Sequence, residues 1–180
     1  MNALGGVMRR IAVGLALLFS LCATVQAQAV SSQLTAIGDE LKEKITKEMP
    51  GWAYRSIEPI QGSKNVILQQ WELGNMAVRI SVTQYESESR ATEFFNDGKY
   101  HLTLEEKAAA SRGRELHLIK GDLPGVGTEA FTWDIRGSEA VAFRNGSFLV
   151  CVSLVRPEPN NDAHFSRVFA AHTASVLALK

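Results

Sequence analysis

The residues best equipped for chemistry in this chain are a glycine-rich run, four histidines and two cysteines. Gly125-Val126-Gly127-Thr128-Glu129-Ala130 spells the GxGxxA fingerprint of dinucleotide sites. That fingerprint works only when a helix follows the glycines, because the free N–H groups and positive dipole end of the helix hold the pyrophosphate. Here the chain continues as Ala130-Phe131-Thr132-Trp133-Asp134-Ile135, an alternation proper to a strand. The glycines therefore read as a turn into a strand, and no cofactor is expected.

The other candidates are equally unpromising as catalysts. His101, His117, His164 and His172 show neither an HExxH spacing nor paired cysteines, so no metal is expected. His164 and His172 stand about 12 Å apart along the axis of the helix that should carry both. Cys151 sits inside Phe148-Leu149-Val150-Cys151-Val152-Ser153-Leu154-Val155, a run that reads as a buried strand and not as an exposed, activated thiol. No GxSxG elbow or SxxK motif is present. Glu105-Glu106 on a helix reads as solvated charge. No catalytic residue is assigned. One catalytic alternative remains, a hydrolase site gathered from distant residues such as His117, Asp122 and Ser153.

These residues need a scaffold, and length and composition outline it. The chain has 180 residues, 46% hydrophobic and 21% charged, with 19 basic and 19 acidic side chains. That balance excludes a chain-wide basic surface for nucleic acid and an acidic disordered tail. Residues 1–27 read as a signal peptide: Arg9-Arg10, an apolar run from Ile11 to Cys22, and small residues at Val25 and Ala27 before a cleavage site. Ala27-Gln28-Ala29 offers a second site, so the mature chain is expected to start at Gln28 or Val30. The apolar run is shorter than the roughly 20 residues that span hydrocarbon, and no other run is long enough. Cleavage removes Cys22 and leaves Cys151 alone, so no disulfide can form within the mature chain. A periplasmic or secreted location follows.

Residues 28–180 read as a single α+β domain, an antiparallel sheet with helices packed on it. Leu34, Ile37, Leu41, Ile45 and Met49 recur at helical spacing after a Ser31 or Ser32 cap. Trp52 to Ile60 reads as an edge strand. The hairpin 66–73/76–84 turns at Gly74-Asn75, which pairs Trp71 with Val78 and Gln70 with Arg79. One hairpin face is then mostly apolar; the other carries Gln70, Glu72, Arg79, Leu68 and Ser81.

Residues 87–111 read as helical, with a break allowed at Gly98, and Glu115–Ile119 as a short strand. A meander of strands near 129–136, 139–144 and 147–155 follows, turning at Gly137-Ser138 and Asn145-Gly146. It puts Phe131, Trp133, Ile135, Ala140, Ala142, Leu149 and Cys151 on one face, and Val141, Phe143, Val150 and Val152 on the other. A sheet apolar on both faces needs cover on both, from helices or from another subunit. Asn160-Asn161-Asp162 should cap a last helix with Phe165, Val168, Phe169, His172, Val176 and Leu179 on its apolar stripe. Each half holds a hairpin followed by a helix, which leaves room for an ancient hairpin–helix duplication.

The stretch from Leu123 to Phe131, with Gly125, Gly127, Glu129 and Ala130, and then Ala142-Phe143-Arg144-Asn145-Gly146-Ser147-Phe148-Leu149-Val150, resembles small secreted bacterial domains with a PsbP-like fold. The resemblance is carried by residues 120–178 and extends to 32–100 only in element order. It implies an antiparallel sheet flanked by helices and no catalytic residue, since such domains are regarded as sensors, binding modules or proteins of unknown role. The expected function is therefore that of an exported, non-catalytic binding or sensor-type domain for a protein or small-molecule ligand. Its candidate surface is the polar hairpin face with Gln70, Glu72 and Arg79, near Trp52 and Tyr54. A homo-oligomer is the structural alternative, prompted by the two-sided apolar meander.

Overall fold

The computed structural model describes residues 31–57, 64–135, 138–156 and 164–180. The expected leader, and with it the cleavage sites, lies outside these residues. So do Pro59, Arg136-Gly137 and Asn160-Asn161-Asp162.

The elements run α1 (Ser32–Glu48), β1 (Ala53–Ser56), β2 (Val66–Leu73), β3 (Met76–Gln84), α2 (Glu88–Ala110), β4 (Ile119–Asp122), β5 (Glu129–Ile135), β6 (Ser138–Asn145), β7 (Phe148–Arg156) and α3 (Phe165–Leu177). The strands form one seven-stranded sheet in the order β1-β2-β3-β7-β6-β5-β4, every pair antiparallel. Two meanders thus meet at the β3–β7 seam. The protein is an α+β domain with helices on both faces of an antiparallel sheet.

The hairpin register follows its turn: Leu73 pairs with Met76, Trp71 with Val78 and Gln70 with Arg79. Gly74, at φ +56°, supplies the positive φ that this tight turn needs at its first loop position. In the second meander the turns fall one residue from where dipeptide propensity places them. Ile135 pairs with Ser138, which makes Ser138 the first residue of β6, and Asn145 pairs with Phe148, so the second loop is Gly146-Ser147. Gly146, at φ +55°, leads its loop as Gly74 does, and Ser147 accepts a hydrogen bond from Tyr85 N–H at 2.9 Å. A shift of this kind moves the pairing by two residues, so each side chain keeps its face.

Both faces have cores. On one, α1 and α3 cover Trp71, Val78, Ile80, Val141, Phe143 and Val152. Ser31 caps α1 by accepting from Leu34 N–H at 3.0 Å. Buried Gln69 donates to the Gly38 carbonyl at 2.7 Å and accepts from the Trp71 indole at 3.3 Å, which leaves its amide satisfied inside the core. On the other face, α2 packs Phe95 and Leu102 against Phe131, Trp133, Ala140, Ala142 and Leu149, with Cys151 at the margin. The two-sided meander thus finds its cover within one chain, which removes the reason given for an oligomer.

Three local expectations are corrected. α2 is unbroken at Gly98, because the Ser87 cap and the buried side chains of Ala91, Phe95 and Leu102 hold it across a residue that costs only about 1 kcal/mol relative to alanine. The short strand is Ile119–Asp122, not Glu115–Ile119; ahead of it the Glu106 carboxylate accepts from Leu118 N–H at 2.5 Å and Ile119 N–H at 2.9 Å. In α3 the buried stripe is Ser166, Phe169, Ala170, Thr173, Ala174, Val176 and Leu177, so Phe169 and Val176 stand where expected while Val168 and Leu179 are exposed. Small residues set that phase, because they let α3 lie close to the sheet. The helices that end the two halves, α2 and α3, lie on opposite faces, so the halves are not copies related by a rotation about the seam.

Candidate functional site

α1 and α3 reach across one face, whereas α2 lies only over the β4–β7 part of the other. Among the described residues, no helix covers that second face over β1, β2 and β3. Strand alternation sends Arg55, Gln70 and Arg79 to this uncovered part as one row across β1, β2 and β3, and Ser153 continues the row on β7 beside α2. Leu68, Ser81 and Cys151 form the next row.

A polar chain links the first row. Arg55 Nε donates to Glu72 Oε2 at 3.2 Å, Gln70 Nε2 to Glu72 Oε1 at 2.8 Å, and Arg79 Nη2 to Gln70 Oε1 at 3.1 Å. Glu72 thus shares its charge with Arg55, while Arg79 has a neutral acceptor only. Arg79 is exposed and forms no ion pair among the described residues.

α2 walls the platform on its inner side. Lys99 meets Asp122 at 2.9 Å and Glu106 meets the start of β4, so that flank looks toward β4. Phe94 lies on the opposite flank, stacked on Tyr85 beyond the end of β3 with ring centroids 4.7 Å apart. His101 and Glu105 follow Phe94 at i+7 and i+11 and so share its flank. Burial pushes the Glu105 carboxyl up, with His101 opposing. Burial likewise pushes the Cys151 thiol up to about 12, which keeps it protonated and unreactive at neutral pH.

Gln70, Glu72 and Arg79 are thus brought together, and Trp52 and Tyr54 are not with them. Trp52 is buried under α3, with its ring 5.0 Å from Phe165 and 4.9 Å from Phe169. Tyr54 packs on Trp71 at 5.3 Å, with Lys42 Nζ 4.5 Å above its ring. Both stand on the opposite face. Period-two alternation through β1 carries the signal that separates them, since Tyr54 pairs with Trp71 and Arg55 with Gln70. Arg55 is the member that sequence reasoning missed, because β1 offers no turn from which to count its register.

Comparison with protein-family models, curated proteins and solved structures finds no match. The site must be judged on its own chemistry.

The hydrolase set does not converge. Ser153 lies in β7, in line with Ala140, Trp133 and Ile119 on three successive neighbours, so about 14 Å of sheet separates it from β4. Asp122 is engaged by Lys99, and exposed His117 meets Glu115 at 3.0 Å. Gly125 and Gly127 have positive φ, at +81° and +62°, and lead directly into β5. No group of three or more His, Cys, Asp or Glu residues able to hold a metal occurs among the described residues, and no helix there is long and apolar enough to cross a membrane.

Proposed function

We propose that the protein is an exported, non-catalytic binding or sensor-type domain of the PsbP-like class, and that it binds through the uncovered β1–β3 platform. The observation that carries this reading is the unequal cover of the sheet: two helices span one face, and no helix among the described residues lies on the other over β1–β3. Arg55, Leu68, Gln70, Arg79 and Ser81 occupy that part at regular spacing on rigid strands, which presents side chains more precisely than a loop does. Export is supported by the N-terminal pattern of Arg9-Arg10, a short apolar core and a small-residue exit.

Amide chemical-shift mapping of the mature domain against a metabolite and fragment collection tests the binding reading. Ligands that shift Leu68, Gln70, Arg79 and Ser81 support it; ligands confined to the outer surfaces of α1 and α3 overturn it. A fluorophosphonate, ester and peptide panel on wild type and His117→Ala tests the absence of catalysis. Turnover lost in that variant would establish the hydrolase instead. N-terminal sequencing of exported material should find Gln28 or Val30 at the start, and an intact Met1 in a membrane fraction would refute export with cleavage.

A further inference from the structure

We infer that the platform recognises a small organic carboxylate with an apolar body, seated with its charged end on Arg79. This deepens the binding reading above and rests on it. The first ground is charge. Arg79 is exposed and donates to the neutral Gln70 amide at 3.1 Å, and no carboxylate of the described residues pairs with it. A guanidinium has five N–H donors in a planar fork that matches a carboxylate, so most of its donor capacity faces outward.

The second ground is the pair of hydroxyls beside it. Ser153 stands directly across from Arg79 on β7, which places their Cβ atoms about 5 Å apart. Ser81 follows Arg79 by two residues on β3, on the same face and about 7 Å along. Both serines are half-buried, and neither hydroxyl has a hydrogen-bond partner among the described residues. Elsewhere the exposed hydroxyls of Thr92 and Ser111 are tied to helix carbonyls. One cation and two hydroxyls thus lie on one face of neighbouring strands within about 7 Å, an arrangement suited to one anion.

The third ground concerns the rest of the ligand. Leu68 and Cys151 flank Ser81 in its row, and both are half-buried. They place apolar surface on either side of Ser81, a short strip across β2, β3 and β7 one row from Arg79. The short strip suits a compact acyl or aryl group. A polypeptide would need far more contact area than a few side chains supply.

The test is amide chemical-shift titration of the mature domain with octanoate, octanol and a triglutamate peptide. Octanoate should shift Leu68, Arg79, Ser81 and Ser153 with saturation. Arg79→Gln, at an exposed position that should not perturb folding, should weaken octanoate at least tenfold. Ser81→Ala combined with Ser153→Ala should weaken it several-fold. Octanol binding as well as octanoate would show that the platform binds ligands without reading charge, and would overturn this inference while sparing the binding reading. Triglutamate binding more tightly than octanoate at these residues would assign the site to acidic peptides and overturn it as well. Absence of any octanoate shift, or octanoate binding unchanged in Arg79→Gln, would also overturn it.

Discussion

Replacing Gly127 with alanine isolates the role of the glycine-rich run. Gly127 has φ +62°, and an added Cβ would stand 2.5 Å from the Arg144 carbonyl oxygen and 2.7 Å from Phe143 Cδ2. The left-handed conformation alone costs a residue with a side chain about 1–2 kcal/mol. Relieving the clash requires the loop to lift from β6 by more than half an ångström, because non-bonded carbon contacts settle at about 3.5–4.0 Å. That movement breaks the bond from Thr128 N–H to the Arg144 oxygen, now 2.8 Å long, and losing such a bond costs about 1 kcal/mol. Gly127→Ala should therefore destabilise the domain by about 2–3 kcal/mol.

Gly125 provides the control. It has φ +81° but nothing within 4 Å of its added Cβ, so Gly125→Ala should cost only the conformational part, about 1–2 kcal/mol. Urea unfolding followed by tryptophan fluorescence measures both, since Trp52, Trp71 and Trp133 are buried. With the denaturant slope unchanged, the difference between the variants is the steric share. Equal midpoints for the two would refute the claim that close packing on β6 dictates a glycine at 127.

Further outcomes follow from the packing and the charges. Phe95 is fully buried and meets Phe131 edge-on at 5.2 Å, so Phe95→Ala should cost about 3–5 kcal/mol, against less than about 0.5 for Tyr100→Ala on the exposed side of the same helix. Cys151, with its thiol pushed up to about 12, should react with a maleimide or disulfide reagent at pH 8 about a thousandfold more slowly than an ordinary thiol, and rapid labelling of folded protein would contradict that raised value. Burial pushes the Glu139 carboxyl up, but two hydrogen bonds from Arg167, each 2.6 Å, outweigh this with help from His164 and hold it below the usual carboxylate range. A lowered folded value means stability present above the unfolded carboxyl pKa, near 4.3, and lost as pH falls through the folded value. Arg167→Gln should accordingly cost about 0.5–1 kcal/mol at pH 7, after allowance for the part-exposed guanidinium, and almost nothing at pH 2; an equal loss at both would refute the ion-pair account.

The faces of the strands were legible in the sequence because alternation has period two. Gly74-Asn75 set the first hairpin to the residue, and in the second meander even displaced turns left Phe131, Trp133 and Cys151 on one face and Phe143 and Val150 on the other. Ser31 and the Leu34, Ile37, Leu41, Ile45 stripe likewise defined α1, since cap and periodicity are both local. Side-chain type could not say which helix covers which face, how far its cover extends, or that Trp52 belongs beneath α3 while Gln70 stays bare. α2 reaches β4, where Lys99 and Glu106 hold it, and so leaves β1–β3 open. Arg79, Ser81 and Ser153 become neighbours only when β3 pairs with β7, after the chain has passed through α2 and three other strands. Periodicity acts over a few residues, whereas that closure is chosen by burying both apolar faces at once, a property of the assembled sheet and helices and of no single segment.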